Sequence, residues 1–288
     1  MPDPIFLAEA VVNGILLAGV LAILALGLNL IFGVIDIVWV AYLDLVMVGM
    51  YTIYWLVSAF GWPLWLAALA AVAEMAVVGV LVHVLIIAPI LGAPPINQFL
   101  ATGGLLFFLQ SLATLLWTTD HRSLKVPLPV LEVGGMFLSA ARLIAFGGAV
   151  VVCGLLYLFL TRTFIGTAIR AVSQDREAMA LMGADPRRVY IITSAIGGGL
   201  AGVASLFLLL QYSVHPHFGS SFGPLTFMIC VLGGLGNLVG AFVAALLLSE
   251  VISVGGVLLN TEYAYVIAFA IFIVAIFVRP EGLLGRRE

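Results

Sequence analysis

Apolar stretches long enough to cross a bilayer recur along this chain, at 9–32, 37–58, 63–87, 96–117, 141–161, 188–211 and 262–279. About 20 apolar residues span the hydrocarbon core as a helix, and a helix leaves no backbone polar group facing lipid. A further apolar stretch, 222–258, is broken by Gly233-Gly234-Leu235-Gly236-Asn237. Charged residues make up 9% of the chain and hydrophobic ones 64%, whereas a soluble domain carries about 25% charged residues. The expected fold is all-α: one polytopic transmembrane domain over 1–288, with about eight spans, a late Gly-rich helical hairpin or re-entrant pair, and one short cytoplasmic helix. The first residues are acidic and lack the basic region of a cleavable signal peptide, so the first run is expected to be a retained helix. Cys153 and Cys230 sit in apolar runs without metal or redox spacing and read as small buried hydrophobes.

Lysines and arginines orient the spans. Eight of the eleven lie in two places: Arg162, Arg170, Arg176, Arg187 and Arg188 in one polar island, and Arg279, Arg286 and Arg287 at the end of the sequence. Both regions are expected in the cytoplasm. Counting spans from the island then puts the N-terminus and the loops 118–140 and 212–221 outside. The last span must begin outside to end at Arg279, so 222–258 crosses an even number of times, as a hairpin turning at the glycines does.

The island, 162–188, carries its own stop signals. Ser173 suits an N-cap, Asp175 and Glu177 suit the positive end of a helix, and Gly183 suits a C′ position. These predict a helix over 174–182, about 13 Å long. So short a helix is marginal alone. Ala178, Met179, Leu181 and Met182 offer small or pliable apolar groups for a groove on another protein. The alternative is a solvated loop that only orients the chain.

Several motifs resemble those of one family. Gly166-x-Ala168-Ile169-Arg170-Ala171, then Asp175-x-Glu177-Ala178 and Leu181-Met182-Gly183, resembles the coupling loop of ABC importer permeases of the high-affinity branched-chain amino acid type (LivH/LivM), the LivH-like branch in particular. Val231-Leu232-Gly233-Gly234-Leu235-Gly236-Asn237 with Gly240-Ala241 resembles the family's late Gly-rich hairpin, and Arg279-Pro280-Glu281-Gly282-Leu283-Leu284-Gly285 its C-terminal ending. The resemblance implies a subunit without enzymatic activity or cofactor of its own. Two cytoplasmic ATPases would hold ATP and Mg2+ and dock on the coupling segment (Gly166, Arg170, Ala171, Ser173, Asp175, Glu177, Ala178, Leu181, Gly183). A LivM-like permease would complete the path, and a periplasmic binding protein would deliver the solute. The chain itself has no GxxxxGK[ST] phosphate loop. Where the family carries Asn-Phe-Ala-His-Gly after its first helix, this chain has Trp39-Val40-Ala41-Tyr42-Leu43. If that stretch lines the path, the path is bulkier and more aromatic, which leaves urea, amides or aromatic acids as alternatives to a branched-chain or other apolar amino acid.

Ionisable groups inside spans are costly and so are functional candidates. Asn29, Trp39, Tyr42, Asp44, Asn97, Gln98 and Thr102 are the candidates for the solute path. Gly233, Gly234, Gly236 and Asn237 are expected to form the hairpin turn. Glu74 reads as packed on a neighbouring subunit or protonated, Glu250 as structurally paired, and His83 as structural. His215 and His217 flank Pro216 without a third ligand, so contact with a delivery protein is expected there rather than a metal. A stand-alone secondary transporter or channel is the other function class, disfavoured by the capped island and the absence of an obvious proton relay.

Overall fold

The computed structural model describes residues 4–124, 126, 129–182, 185–279 and 281–284. The helices are α1 Pro4–Ile35, α2 Tyr42–Ser58, α3 Leu64–Ile90, α4 Pro95–Trp117, α5 Ala140–Arg162, α6 Phe164–Gln174, α7 Arg176–Leu181, α8 Pro186–Leu209, α9 Phe218–Gly233, α10 Leu238–Leu258 and α11 Thr261–Val278. Seven of them are long and apolar enough to cross a membrane; α2 and α9 are shorter apolar rods of 17 and 16 residues. The chain is an all-α polytopic bundle. Among the described residues the one sheet is a hairpin of β1 Val130–Val133 and β2 Met136–Ser139, closed by Gly134 and Gly135 at positive φ. It lies inside the expected 118–140 loop.

α1 is the axis. Its apolar window is 83% buried, against 22% for α4 and α5 and 11% for α11. The outer faces of α3, α4, α5 and α11 present residues such as Val77, Phe107, Leu155 and Phe277, as a lipid-facing surface requires. Close approaches set the helix directions. Val38 meets Thr102, Asp44 meets Gln110 and Tyr51 stacks on Trp117 at 4.1 Å, so α2 and α4 run parallel. Tyr42 meets Gly197 and Gly49 abuts Ser205, so α8 runs the same way. Asn29 meets Gly234 and the Cys230 thiol meets the Ala25 carbonyl, so α9 runs parallel to α1. Glu250 packs on Gly14 and Ser253 bonds Ala10, so α10 returns antiparallel.

These directions place the 122 and 214 loops at one end. A two-bond bridge between Arg122 and Val214, at 2.9 and 2.8 Å, joins them. The island and the glycine turn lie together at the other end. α9, about 24 Å long at 1.5 Å per residue, starts inside the bundle, where Gly219 meets Asp44 and Ser220 meets Gln110, and runs to the glycine turn.

Three helix starts differ by four or five residues from the sequence expectation. α1 begins at Pro4 rather than 9. α2 starts at Tyr42 rather than 37, because α1 continues to Ile35 and Asp36 turns the chain at φ 61°. α9 starts at Phe218, inside the expected 212–221 loop.

Candidate functional site

The island folds as two helices, not one over 174–182. Thr163, rather than Ser173, opens the first: its hydroxyl accepts the Gly166 N–H at 3.0 Å. Gly166 lies against the backbone of Leu160, where a Cβ would collide with Phe159 and Leu160. Ser173 sits in the last turn of α6, with its hydroxyl donating to the Arg170 carbonyl at 2.8 Å. That bond to i−3 is open to any Ser inside a helix. Asp175 ends α6 and caps α7, accepting the N–H of Glu177 and of Ala178, both at 2.9 Å. The Asp wins as the cap because its carboxylate takes two orphan donors beside the positive helix end. α6 buries Gly166, Ile169 and Val172 against the bundle, while α7 ends in Leu181 and Met182, 90% and 83% exposed. Gly183, the expected C′ residue, lies outside the described residues.

Behind α6 is a cavity of about 510 Å³. Arg170, Ser173 and Gln174 form one wall, and Gly236, Asn237 and Val239 of the glycine turn form the other. Three sequence motifs converge on that turn. Asn29 of α1 donates to the Asn237 carbonyl at 3.0 Å and, more weakly, to that of Gly234 at 3.4 Å; its own side-chain oxygen accepts the Gly236 N–H at 2.6 Å. Gly33 and Gly236 touch backbone to backbone. From the far side, Leu283 N–H donates to the Leu232 carbonyl at 2.7 Å and the Asn237 amide donates to Leu284 at 2.6 Å. Gly282, at φ 85°, lies on Gly234 with no room for a side chain. Asn29 is thus a clamp on the turn, with both side-chain polar atoms occupied.

The remaining path candidates separate into packing and a polar cluster. Trp39 and Tyr42 are enclosed between helices; the Tyr42 hydroxyl donates to the Gly197 carbonyl at 3.1 Å, in space left by Gly27. Asn97 is exposed, and Gln98 donates to the Ala93 carbonyl at 3.0 Å, fastening the bend before α4. Thr102 lies 3.1 Å from the Val38 carbonyl. Glu74 is exposed on the outer face of α3, and His83, in a π turn of the same helix, is buried.

Asp44 sits in the first turn of α2, 1% exposed. Its Oδ1 accepts from Gln110 Nε2 at 3.0 Å, and the same amide donates to Ser220 Oγ at 3.0 Å. Gln110 Oε1 lies 3.0 Å from His217 Nδ1, which must therefore be the donor. Asp44 Oδ2 is buried without a hydrogen-bond partner among the described residues. An unpaired buried acceptor costs about 1–3 kcal/mol, and more when charged. Gln110 and Ser220 were not legible as site residues from sequence. The one available signal was an amide at position 110 in an otherwise apolar span.

Beside the cluster, the rings of His121 and His215 lie 4.5 Å apart on the two bridged loops. Burial holds the His215 imidazole below its ordinary range, and His121 and His217 add to the effect.

The chain matches, over residues 10–276, the family model described as the branched-chain amino acid transport system permease component. It is 28% identical to the high-affinity branched-chain amino acid transport system permease protein BraD of Pseudomonas aeruginosa, covering 100% of this chain and 99% of that one. Against LivH of Escherichia coli K12 the identity is 27%, over 99% and 97% of the two chains. Against LivM of the same organism it is 32%, but over 43% of this chain and 29% of the relative. No solved structure matches. With a full-length match to the family and a bundle of bilayer-length apolar helices, this chain belongs to the branched-chain amino acid transport system permease family and is a multi-pass membrane protein.

Proposed function

We propose that this chain is the LivH-like permease subunit of an ATP-driven ABC importer that moves a small apolar amino acid, in the branched-chain class, across the inner membrane. A LivM-like permease pairs with it; its relatedness to LivM of Escherichia coli supports such a pairing of two similar subunits. Two cytoplasmic subunits bind and hydrolyse ATP with Mg2+, and a periplasmic protein delivers the solute. In this reading the N-terminus and the 122 and 214 loops are periplasmic, and the island and the C-terminus are cytoplasmic.

The observation that carries the proposal is the island. A capped six-residue helix presents two bare apolar side chains, Leu181 and Met182, from a surface rich in arginine. Such a tip is complementary to a groove on a soluble partner and ill-suited to stand alone in water. Through the cavity behind α6, a push on α7 faces the glycine turn and through it α1. The test is co-purification followed by uptake. An ATPase subunit is expected to come with the chain, and Arg170→Glu or Asp175→Arg is expected to leave hydrolysis running while uptake stops. Solute transport by the purified chain alone, without nucleotide, would overturn the reading.

A further inference from the structure

The Asp44 cluster has the shape of an incomplete binding site. Its carboxylate is enclosed within the bundle, yet among the described residues only one oxygen is held, by Gln110. Gln110 is saturated: its two amide hydrogens go to Asp44 and Ser220, and its oxygen faces His217. It therefore cannot serve the second oxygen as well. Gly219, in the first turn of α9, is pressed so close to Asp44 that a Cβ there would lie 2.7 Å from Oδ1. The cluster also leads outward, since Ser220 and His217 are exposed while Asp44 and Gln110 are buried. Polar groups thus run from the surface at the loop end to a carboxylate with a free acceptor. Of the other acids within the spans, Glu74 faces outward from α3, and Glu250, whose Oε1 is likewise buried without a partner among the described residues, packs against Gly14 of α1 and has no polar approach like that of Gln110, Ser220 and His217.

We infer that Asp44 is a subsite for a primary ammonium group, its free Oδ2 taking an N–H of the solute's amino end as the solute passes from the loop end of the bundle. A charged N–H donor is the partner a buried carboxylate oxygen lacks, and charge-assisted bonds are the strong ones. Gln110 and Ser220 position the carboxylate and make the polar approach to it. The assignment of the ammonium to a transported amino acid rests on the function proposed above; the subsite itself rests on the geometry.

The test is infrared difference spectroscopy on nanodiscs of the complete transporter, without binding protein, at constant ionic strength. The probes are methylammonium chloride, tetramethylammonium chloride and sodium chloride. The expected result is a shift of one carboxylate band with methylammonium, absent with the two ions that carry no N–H and absent in Asp44→Asn. A shift that persists in Asp44→Asn, an equal shift with sodium, or no shift at all overturns the subsite. Should Asp44→Asn fail to assemble, the comparison of the three probes on the unaltered protein still decides. In uptake, Asp44→Asn is expected to lower leucine transport at least about tenfold, the loss of one charge-assisted bond, with Asp44→Glu restoring part of it. A transporter that shows the band but carries no amino acid keeps the subsite and removes the amino-acid reading. One that carries leucine without the band removes the subsite alone.

Discussion

The glycine turn and the cluster around Asp44 treat buried polar groups in opposite ways. At the island end, Asn29, Gly236, Asn237 and Leu283 share a closed set of hydrogen bonds around the glycine turn. At the loop end, Asp44 Oδ2, the Tyr51 hydroxyl, Trp55 Nε1 and Arg122 Nε are buried without partners among the described residues. Satisfied networks rigidify, and unsatisfied ones mark places where something else is bound. The glycine turn is therefore a stiff joint between α1 and the hairpin. The cluster around Asp44 is left unfinished.

Substitutions at the two ends should separate accordingly. The largest effect is expected from Gly236→Val. This residue has φ 80° and touches Gly33, so a branched side chain meets both strain and collision, for a loss of about 3 kcal/mol or more. The expected readout is failure to recover monodisperse protein; normal recovery would break the picture of a tight clamp. Asn29→Leu, which strands the Gly236 N–H while the Asn237 carbonyl keeps the Ala241 N–H, is expected to cost about 1–3 kcal/mol in thermal unfolding of the detergent-solubilised transporter. Asp44→Asn, at the unfinished end, keeps the shape and relieves an unpaired charge, so its stability should change by less than about 1 kcal/mol. Similar costs for the two would erase the contrast. Asp175→Ala removes the cap of α7 at about 1 kcal/mol, visible as faster amide exchange at Glu177 and Ala178 with the transmembrane helices unchanged.

The smallest effect is expected at the loop end in acid. The folded protein disfavours protonated His215, so the unfolded chain binds the proton more readily. Stability is then present above the ordinary imidazole range and falls as pH drops through about 6.5 and on through the lowered value. Amide exchange at Arg122 and Val214 should quicken between neutral pH and about pH 5, while exchange at Gly236 stays constant.

The transmembrane rods were legible because bilayer thickness fixes their length and composition fixes their solvent. Most boundaries fell within a few residues of the expectation, the glycine break included. The island was misread in detail because Thr163, Ser173 and Asp175 are all good cap residues. The choice among them was made by packing: Gly166 fits against Leu160 only when α6 begins at Phe164. The loop-end cluster was largely illegible. Asp44 stood out as a charge in an apolar span, but Gln110 lies 66 residues away and Ser220 a further 110, and only the packing of α2 against both α4 and α9 brings them together. The three glycine-bearing motifs were each visible in order, yet their convergence on one turn is a property of the fold.

We propose α7 as the place where a cytoplasmic ATPase engages the bundle. Site-directed cross-linking from this helix tests it most directly, with Cys153 and Cys230 first replaced by alanine and single cysteines placed at Leu181, Met182 and, as a control, Phe107 on the outer face of α4. The account predicts adducts with an ATPase subunit from the first two positions, changing in yield when ATP is added, and none from the third. Absence of adducts from Leu181 and Met182 in membranes that still show ATP-driven uptake would contradict it.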